Sequence, residues 1–278
     1  MAPFFQRVTL PTAESPSRWV FLLHGILGQG GNLRTVARRW LSHLPDTGAV
    51  LIDLRNHGRS RHLPPPDDLD ACAADLERVI AAMQTTPHAV LGHSFGGKVA
   101  LHYAARLRAR GEPVRQVWVL DSVIGARAVD ARDAGPGSTE AIVSVLENLP
   151  TSFPTREAFN AHLEAAGLPP AIVAWLAMNV TRDGADGDCR FGPDMMRVRA
   201  MLDSYFATDL WPALAEHPAE CTHIVIAEHG SAFDAEARAR LQKIADASAG
   251  AVRAEHIDAG HWLHVDAPDA LDALLARG

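Results

Sequence analysis

Apolar residues along this chain fall into two alternating rhythms. Short runs rich in aliphatic and β-branched residues occur at Phe4–Leu10, Trp19–Leu23, Ala49–Asp53, His88–Leu91, Gln116–Leu120, Thr222–Ala227 and Val252–Ile257. Several are almost continuously apolar instead of alternating, which is the pattern of strands buried on both faces. Between them, Leu33–Leu44, Leu69–Met83 and Lys98–Arg110 repeat apolar residues every three or four positions and predict amphipathic helices. Pro268–Ala276 predicts a closing helix. Strands alternating with helices predict an α/β fold, a mostly parallel central sheet flanked by helices.

The rhythm breaks between Asp121 and about Leu210. A loop rich in Gly, Pro and charge, GARAVDARDAGPGS, opens this stretch, and helical patterns follow at Thr139–Asn148, Arg156–Ala166, Ala171–Met178 and Asp194–Ala207. Pro154, Pro169, Pro170 and Pro193 stand before or at helix starts, where a missing amide proton costs little. No strand is predicted here. The division expected is a core of residues 1–123 and 210–278 with an inserted helical lid at 124–209, a lid being the usual role of a helical insertion over a site. The 278 residues suit one core of about 200 plus that insertion better than two independent domains.

Composition narrows the function classes. With 47% hydrophobic and 21% charged residues the chain reads as soluble and globular. A net charge of −7 offers no basic field for phosphate backbones, which argues against nucleic acid as a partner. The longest apolar run, Ala171–Met178, is far below the roughly 20 residues that span a bilayer, so no membrane partner is expected. The N-terminus MAPFFQRVTLPTAESP has no charged and apolar pattern of a secretory signal. Cys72, Cys189 and Cys221 are odd in number and widely spaced, and predict free thiols in a reducing, cytoplasmic setting. Fourteen histidines include no His-Glu-x-x-His, and the pair His261/His264 has no carboxylate pattern beside it, so no metal is expected. The chain could be a monomer or a homodimer.

The strongest chemical signal is Gly92-His93-Ser94-Phe95-Gly96-Gly97, between a predicted strand and a predicted helix. A strand–elbow–helix turn forces its central serine into strained backbone angles and needs residues without β-carbons around it, which Gly92 and Gly96 supply. Ser94 is then a candidate nucleophile. A serine needs a base within reach. His261, in Ala259-Gly260-His261-Trp262 directly after the last predicted strand, lies where catalytic groups of open α/β sheets gather. Negative charge on a carbonyl oxygen also needs donors. His24-Gly25-Ile26-Leu27-Gly28 follows the strand Trp19–Leu23, and the backbone amides of Ile26 and Phe95 would form that oxyanion hole. A phosphate-loop reading of HGILGQGG fails for want of a following Gly-Lys-Ser/Thr.

HGxxG after a strand, Asp53-Leu-Arg-Asn-His-Gly-Arg-Ser60, Gly-His-Ser-Phe-Gly-Gly-Lys and Ala-Gly-His-Trp-Leu-His together resemble the α/β-hydrolase superfamily. More narrowly, they resemble its small bacterial esterase and acyl-thioesterase branch, over about residues 4–123 and 210–276. The resemblance implies Ser94 as nucleophile, His261 as base, and the amides of Ile26 and Phe95 as oxyanion donors. For the acid that orients His261 it points to Asp121, at the end of the strand Gln116–Leu120, with Ser231 at a position where this branch carries serine or asparagine. Glu228 and Asp234, in the loop after Thr222–Ala227, remain rivals.

In Asp53–Ser60, His57 or Arg55 could touch substrate, but a structural loop with Asp53 and Ser60 satisfying turn amides and Gly58 at positive φ is the favoured reading. His93 and His264 are expected to pack beside the catalytic groups. Phe95, Trp262, Trp175, Met178, Met195, Met196 and Phe206 are candidates for an apolar acyl pocket. The expected function is a cofactor-independent serine hydrolase of short- to medium-chain carboxylic esters or thioesters, working through an acyl-enzyme. Alternatives on the same scaffold are C–C or lactone hydrolysis, haloperoxidase-like chemistry, and a non-catalytic receptor for a small ligand.

Overall fold

Six parallel strands and one antiparallel edge strand form a single sheet in a computed structural model that describes residues 1–11, 15–128, 138–182 and 187–278. In chain order the strands and helices of the first half are β1 (Phe5–Val8), β2 (Arg18–Leu23), α1 (Arg34–His43), β3 (Thr47–Ile52), α2 (Leu69–Met83), β4 (Ala89–His93), α3 (Phe95–Ala109) and β5 (Val114–Leu120). The inserted region carries α4 (Thr139–Glu147), α5 (Arg156–Ala165), α6 (Pro170–Leu176), β6 (Val180–Arg182), β7 (Cys189–Phe191), α7 (Met195–Ala207) and α8 (Trp211–Ala215). The chain returns through β8 (Ala219–Ala227), α9 (Ala235–Ala247), β9 (Val252–Ile257), α10 (Leu263–Asp266) and α11 (Pro268–Leu275). The sheet order is β1-β3-β2-β4-β5-β8-β9, with β1 antiparallel to β3.

The near-continuous apolar strands follow from a sheet covered on both sides. Successive residues point to opposite faces. Phe21, Val90, Val117 and Val119 join the core that takes in Leu76 and Val79 of α2 and Val99 of α3. Their neighbours Val20, Leu22, Leu91, Trp118 and Leu120 pack instead with Val36 and Trp40 of α1 and Leu271 and Leu274 of α11. Helix starts carry the polar caps that orphan amides require. Asp68, Ser138, Thr155, Asp194 and Asp234 each accept a backbone N–H from the first turn of their helix.

Several elements depart from expectation, among them the short helices α8 and α10, which hold only one or two turns. The inserted region holds a β-hairpin, β6 with β7, extended by a bridge between Phe153 and Cys189. Strands of three residues are too short to show a period, and only Val180 and Cys189 of this hairpin are buried hydrophobic residues. Helix α9 went unpredicted because Leu241 is its only buried residue. All three cysteines are free, with Cys72 and Cys189 buried.

Strands β5 and β8 are parallel neighbours, so the chain leaves the sheet after Leu120 and re-enters it at the opposite edge, with Ala219 beside Val114. The insertion itself closes near its departure point, where Leu210 N–H meets Ile124 O, and α8 then carries the chain toward β8. The insertion is tied to the core at several places. Asn179 donates from Nδ2 to Leu27 O at 2.7 Å. The Asn56 amide pairs both ways with the backbone of Asp194, at 2.8 and 3.0 Å. Arg197 grips buried Asp67 with two nitrogens, each at 2.7 Å. Among the described residues no helix is long and apolar enough to cross a membrane.

Candidate active site

Ser94 sits between β4 and α3 with φ +52° and ψ −119°, a strained geometry held from both sides. Its N–H donates to Leu120 O at 2.8 Å, carrying the β4–β5 ladder one residue past the strand end. A β-carbon on Gly92 would lie 2.0 Å from Gly96 O, and one on Gly96 would lie 2.5 Å from His24 O. The turn therefore closes only with glycine at both positions.

Asp121 directly follows β5, the neighbouring strand, also with a positive φ of 43°. Its side chain is fully buried. Oδ1 accepts the Ala227 N–H at 3.2 Å and Oδ2 lies 2.7 Å from His261 Nδ1. The rival acids are engaged elsewhere. Glu228 pairs with Arg238 and His256, and Asp234 caps α9. His261 stands on the loop after β9 with its side chain partly exposed. His93 steadies that loop: its Nε2–H donates to His261 O at 2.8 Å, and its ring lies 4.8 Å from that of His261 and 4.7 Å from that of His264. Burial holds His93 well below the usual imidazole range and pulls His264 down to about 4.

The amides of Ile26 and Phe95 donate to no protein acceptor among the described residues. For Phe95 this follows from its place as the first residue of α3, where helix N–H groups lack partners. For Ile26 it follows from a tight turn, closed by Gly28 N–H to Gly25 O at 3.0 Å and passing through Leu27 at φ +62°. The segment Asp53–Ser60 braces that turn. His57 Nε2 accepts the Leu27 N–H at 2.8 Å while its Nδ1–H donates to Arg55 O. His24 does the same with Leu54 N–H and Gly25 O. A protonated ring could accept neither amide, and burial adds to this, lowering His24 to about 4 and His57 to about 3. Asp53 accepts from Gly30 and Arg59, Ser60 accepts from Phe4, Gly58 has φ +48°, and Arg55 is buried against Asp75. These bonds make the segment a brace, the favoured reading, yet His57 reaches the Gly25–Gly28 turn across 30 residues, a link no local pattern announces.

Ser94, Phe95, Ile26, Asp121 and His261 all line one cavity of about 760 Å³. That volume suits a small organic substrate. Ser94 Oγ has no hydrogen-bond partner among the described residues and is open to whatever enters. Trp175, Met178 and Phe206 from the insertion and Trp262 from the His261 loop line the same space, joined by Ile142, Leu202 and Tyr205, which the sequence did not single out. Met195 and Met196 do not line it, a correction to the expected pocket. They occupy the first turn of α7, where Met195 packs on the core and Met196 is 84% exposed. Among the described residues no three His, Cys, Asp or Glu side chains converge as metal ligands would.

Residues 20–274 match the alpha/beta hydrolase family. The chain belongs to that family. It is 25% identical over 267 residues to the sn-1-specific diacylglycerol lipase ABHD11 of Mus musculus, covering 92% of this chain and 79% of that one. It is 26% identical over 263 residues to esterase YbfF of Escherichia coli strain K12, covering 93% and 91%. Among solved structures it is similar to a marine microorganism esterase, with a TM-score of 0.77 over 99% of this chain and 98% of that one. At 23% identity, that last likeness is one of fold.

Proposed function

We propose that this α/β hydrolase cleaves carboxylic esters or acyl thioesters of short to medium chain, with Ser94 as nucleophile, His261 as base and Asp121 as the orienting acid. The observation that carries the reading is the His261 Nδ1 to Asp121 Oδ2 contact of 2.7 Å, on the wall of the cavity into which strained Ser94 opens. Similarity to proteins named esterase and lipase supports the reaction class.

Ser94 Oγ attacks the substrate carbonyl carbon while His261 Nε2 takes its proton. Asp121 fixes the tautomer that carries hydrogen on Nδ1 and stabilises the imidazolium. The carbonyl oxygen, now an anion, receives the N–H groups of Ile26 and Phe95. Collapse expels the alcohol or thiol, which leaves with the proton from His261. Water then gives a proton to His261, attacks the acyl carbon, and restores Ser94 as the carboxylic acid departs. Helices α4–α7 act as the cap of residues 124–209, and the acyl chain lies along Trp175, Met178, Phe206 and Trp262. Deacylation by water needs no cofactor.

The test is active-site labelling by an alkyl fluorophosphonate, alongside turnover of p-nitrophenyl acetate, p-nitrophenyl butyrate and an acyl-CoA panel. Stoichiometric labelling with ester or thioester turnover is the expected result. A folded protein that neither labels nor turns over would make it a ligand receptor, and faster acyl-CoA than ester hydrolysis would make it a thioesterase.

A further inference from the structure

We propose that Lys98 is a positioning residue that seats the inserted helices on the nucleophile helix, and thereby decides which acyl chains the cavity accepts. Of the 26 lysines and arginines in the chain, only Lys98 and Lys243 are lysine. Lys98 is completely buried. Such a side chain is almost never buried without partners. It lies on α3, and its own N–H donates to Ser94 O.

Its Nζ donates to two backbone carbonyls that stand at opposite ends of the insertion, Gly125 O at 2.9 Å and Tyr205 O at 2.6 Å. No carboxylate forms an ion pair with it among the described residues, though the charges of Asp209 and Arg127 reach it with opposite signs, and the Tyr205 ring lies 4.8 Å from Nζ. Around these contacts the outgoing and returning segments are stitched into a stem. Arg127 N–H donates to Phe206 O at 2.8 Å, Leu210 N–H to Ile124 O at 3.0 Å, and Val123 N–H to the Tyr205 hydroxyl at 2.9 Å. Lys98 holds this stem from below, through a helix whose first residue, Phe95, carries one of the two oxyanion amides.

The chemistry fits lysine in particular. Two carbonyls, one buried and one partly buried, converge on one point and need one donor with at least two N–H bonds, which an amine supplies in either protonation state. An arginine would bring a planar fork and a fixed charge. Burial lowers the Lys98 ammonium to about 7, consistent with a group held for its donors more than for its charge. Tyr205 and Phe206 both line the cavity, and the Tyr205 ring packs 5.7 Å from that of Phe95. A stem that shifts therefore moves the acyl wall.

The proposal rests on the cavity being the acyl site, and its test separates the two. In the full-length Lys98→Met variant, peptide-resolved amide exchange should accelerate about tenfold or more across residues 123–127 and 205–210, with β4 and β5 unchanged. The octanoate-to-acetate ratio of kcat/KM for p-nitrophenyl esters should move by about fivefold or more. A folded variant with unchanged stem exchange, or with an unchanged ratio, overturns the proposal. The wild-type protein supplies a measurement that needs no variant. Exposed Lys243 should be acetylated by an N-hydroxysuccinimide ester far faster than Lys98, and phosphonylation of Ser94 by a long-chain fluorophosphonate should slow Lys98 further. Equal rates at the two lysines, or indifference of Lys98 to the occupied cavity, overturn it. Failure of the reagent to label Ser94 counts against the hydrolase reading, while stem exchange in Lys98→Met still reads the anchor.

Discussion

Asp121 and His261, 140 residues apart in the chain, meet at 2.7 Å because Gly230 leaves the space for the carboxylate. A β-carbon on Gly230 would lie 2.4 Å from Asp121 Oδ2. Asp121→Asn should lower kcat by roughly 10²–10⁴ with little change in KM, since the amide favours the wrong tautomer of His261. Gly230→Ala should lower kcat in the same direction by displacing the carboxylate. Glu228→Gln and Asp234→Asn should each stay within about tenfold of wild type. Steady-state kinetics on p-nitrophenyl butyrate decide; large losses in the last two variants with none in the first would move the acid to the later loop.

Ser94→Ala should cut kcat by on the order of 10⁴–10⁶ and abolish fluorophosphonate labelling. Its circular dichroism and melting temperature should match wild type. Turnover above a tenth of wild type would remove Ser94 from the mechanism.

The acyl wall is tested by truncation. Trp175→Ala and Phe206→Ala should each alter the kcat/KM ratio between octanoate and acetate esters by about tenfold or more, the scale of discrimination available to an apolar pocket. Met196→Ala, on the outside of α7, should leave that ratio unchanged. Equal effects from all three would mean the wall lies elsewhere.

Acid should unfold this protein early. His24, His57, His93 and His223 are buried and His264 is half-buried, and all five have proton affinities below the ordinary value of 6.5, to about 4 for His24, His223 and His264 and about 3 for His57. Between about pH 6.5 and 4 the unfolded chain therefore binds more protons than the folded one. Stability is fully present above that window and is lost as pH falls through it, by about 3 kcal/mol at pH 4 for His24 alone. Melting temperature should be level between pH 7 and 8 and drop steeply below 6. A melting temperature unchanged down to pH 4.5 would contradict the buried neutral tautomers.

The sheet was readable in the chain because both of its faces are apolar: Leu22 and Phe21 point opposite ways and are equally buried, so the run has no polar gap. The elbow was readable because its sterics demand glycine on either side of one serine. Asp121 was not readable from spacing, since a strand-end aspartate looks the same whether it caps a loop or orients a base. Only chain order and resemblance pointed to it. The His57 brace and the Lys98 contacts were invisible for a different reason. They join side chains to backbone atoms 27 to 107 residues away, and backbone atoms leave no trace in residue identity. The β6/β7 hairpin was too short to carry a period.

The ties between the insertion and the core have a kinetic consequence. Asn179 on Leu27, Asn56 on Asp194 and Arg197 on Asp67 hold the insertion at points well separated from the Lys98 stem. Enzymes whose covering helices swing aside at an oil–water boundary show a jump in rate when substrate passes its solubility limit. A roof bolted down along several sides has no closed form for a lipid surface to release. Rate against concentration of a sparingly soluble ester should then follow one saturation curve straight through the onset of micelles, and the enzyme should work on dissolved molecules one at a time.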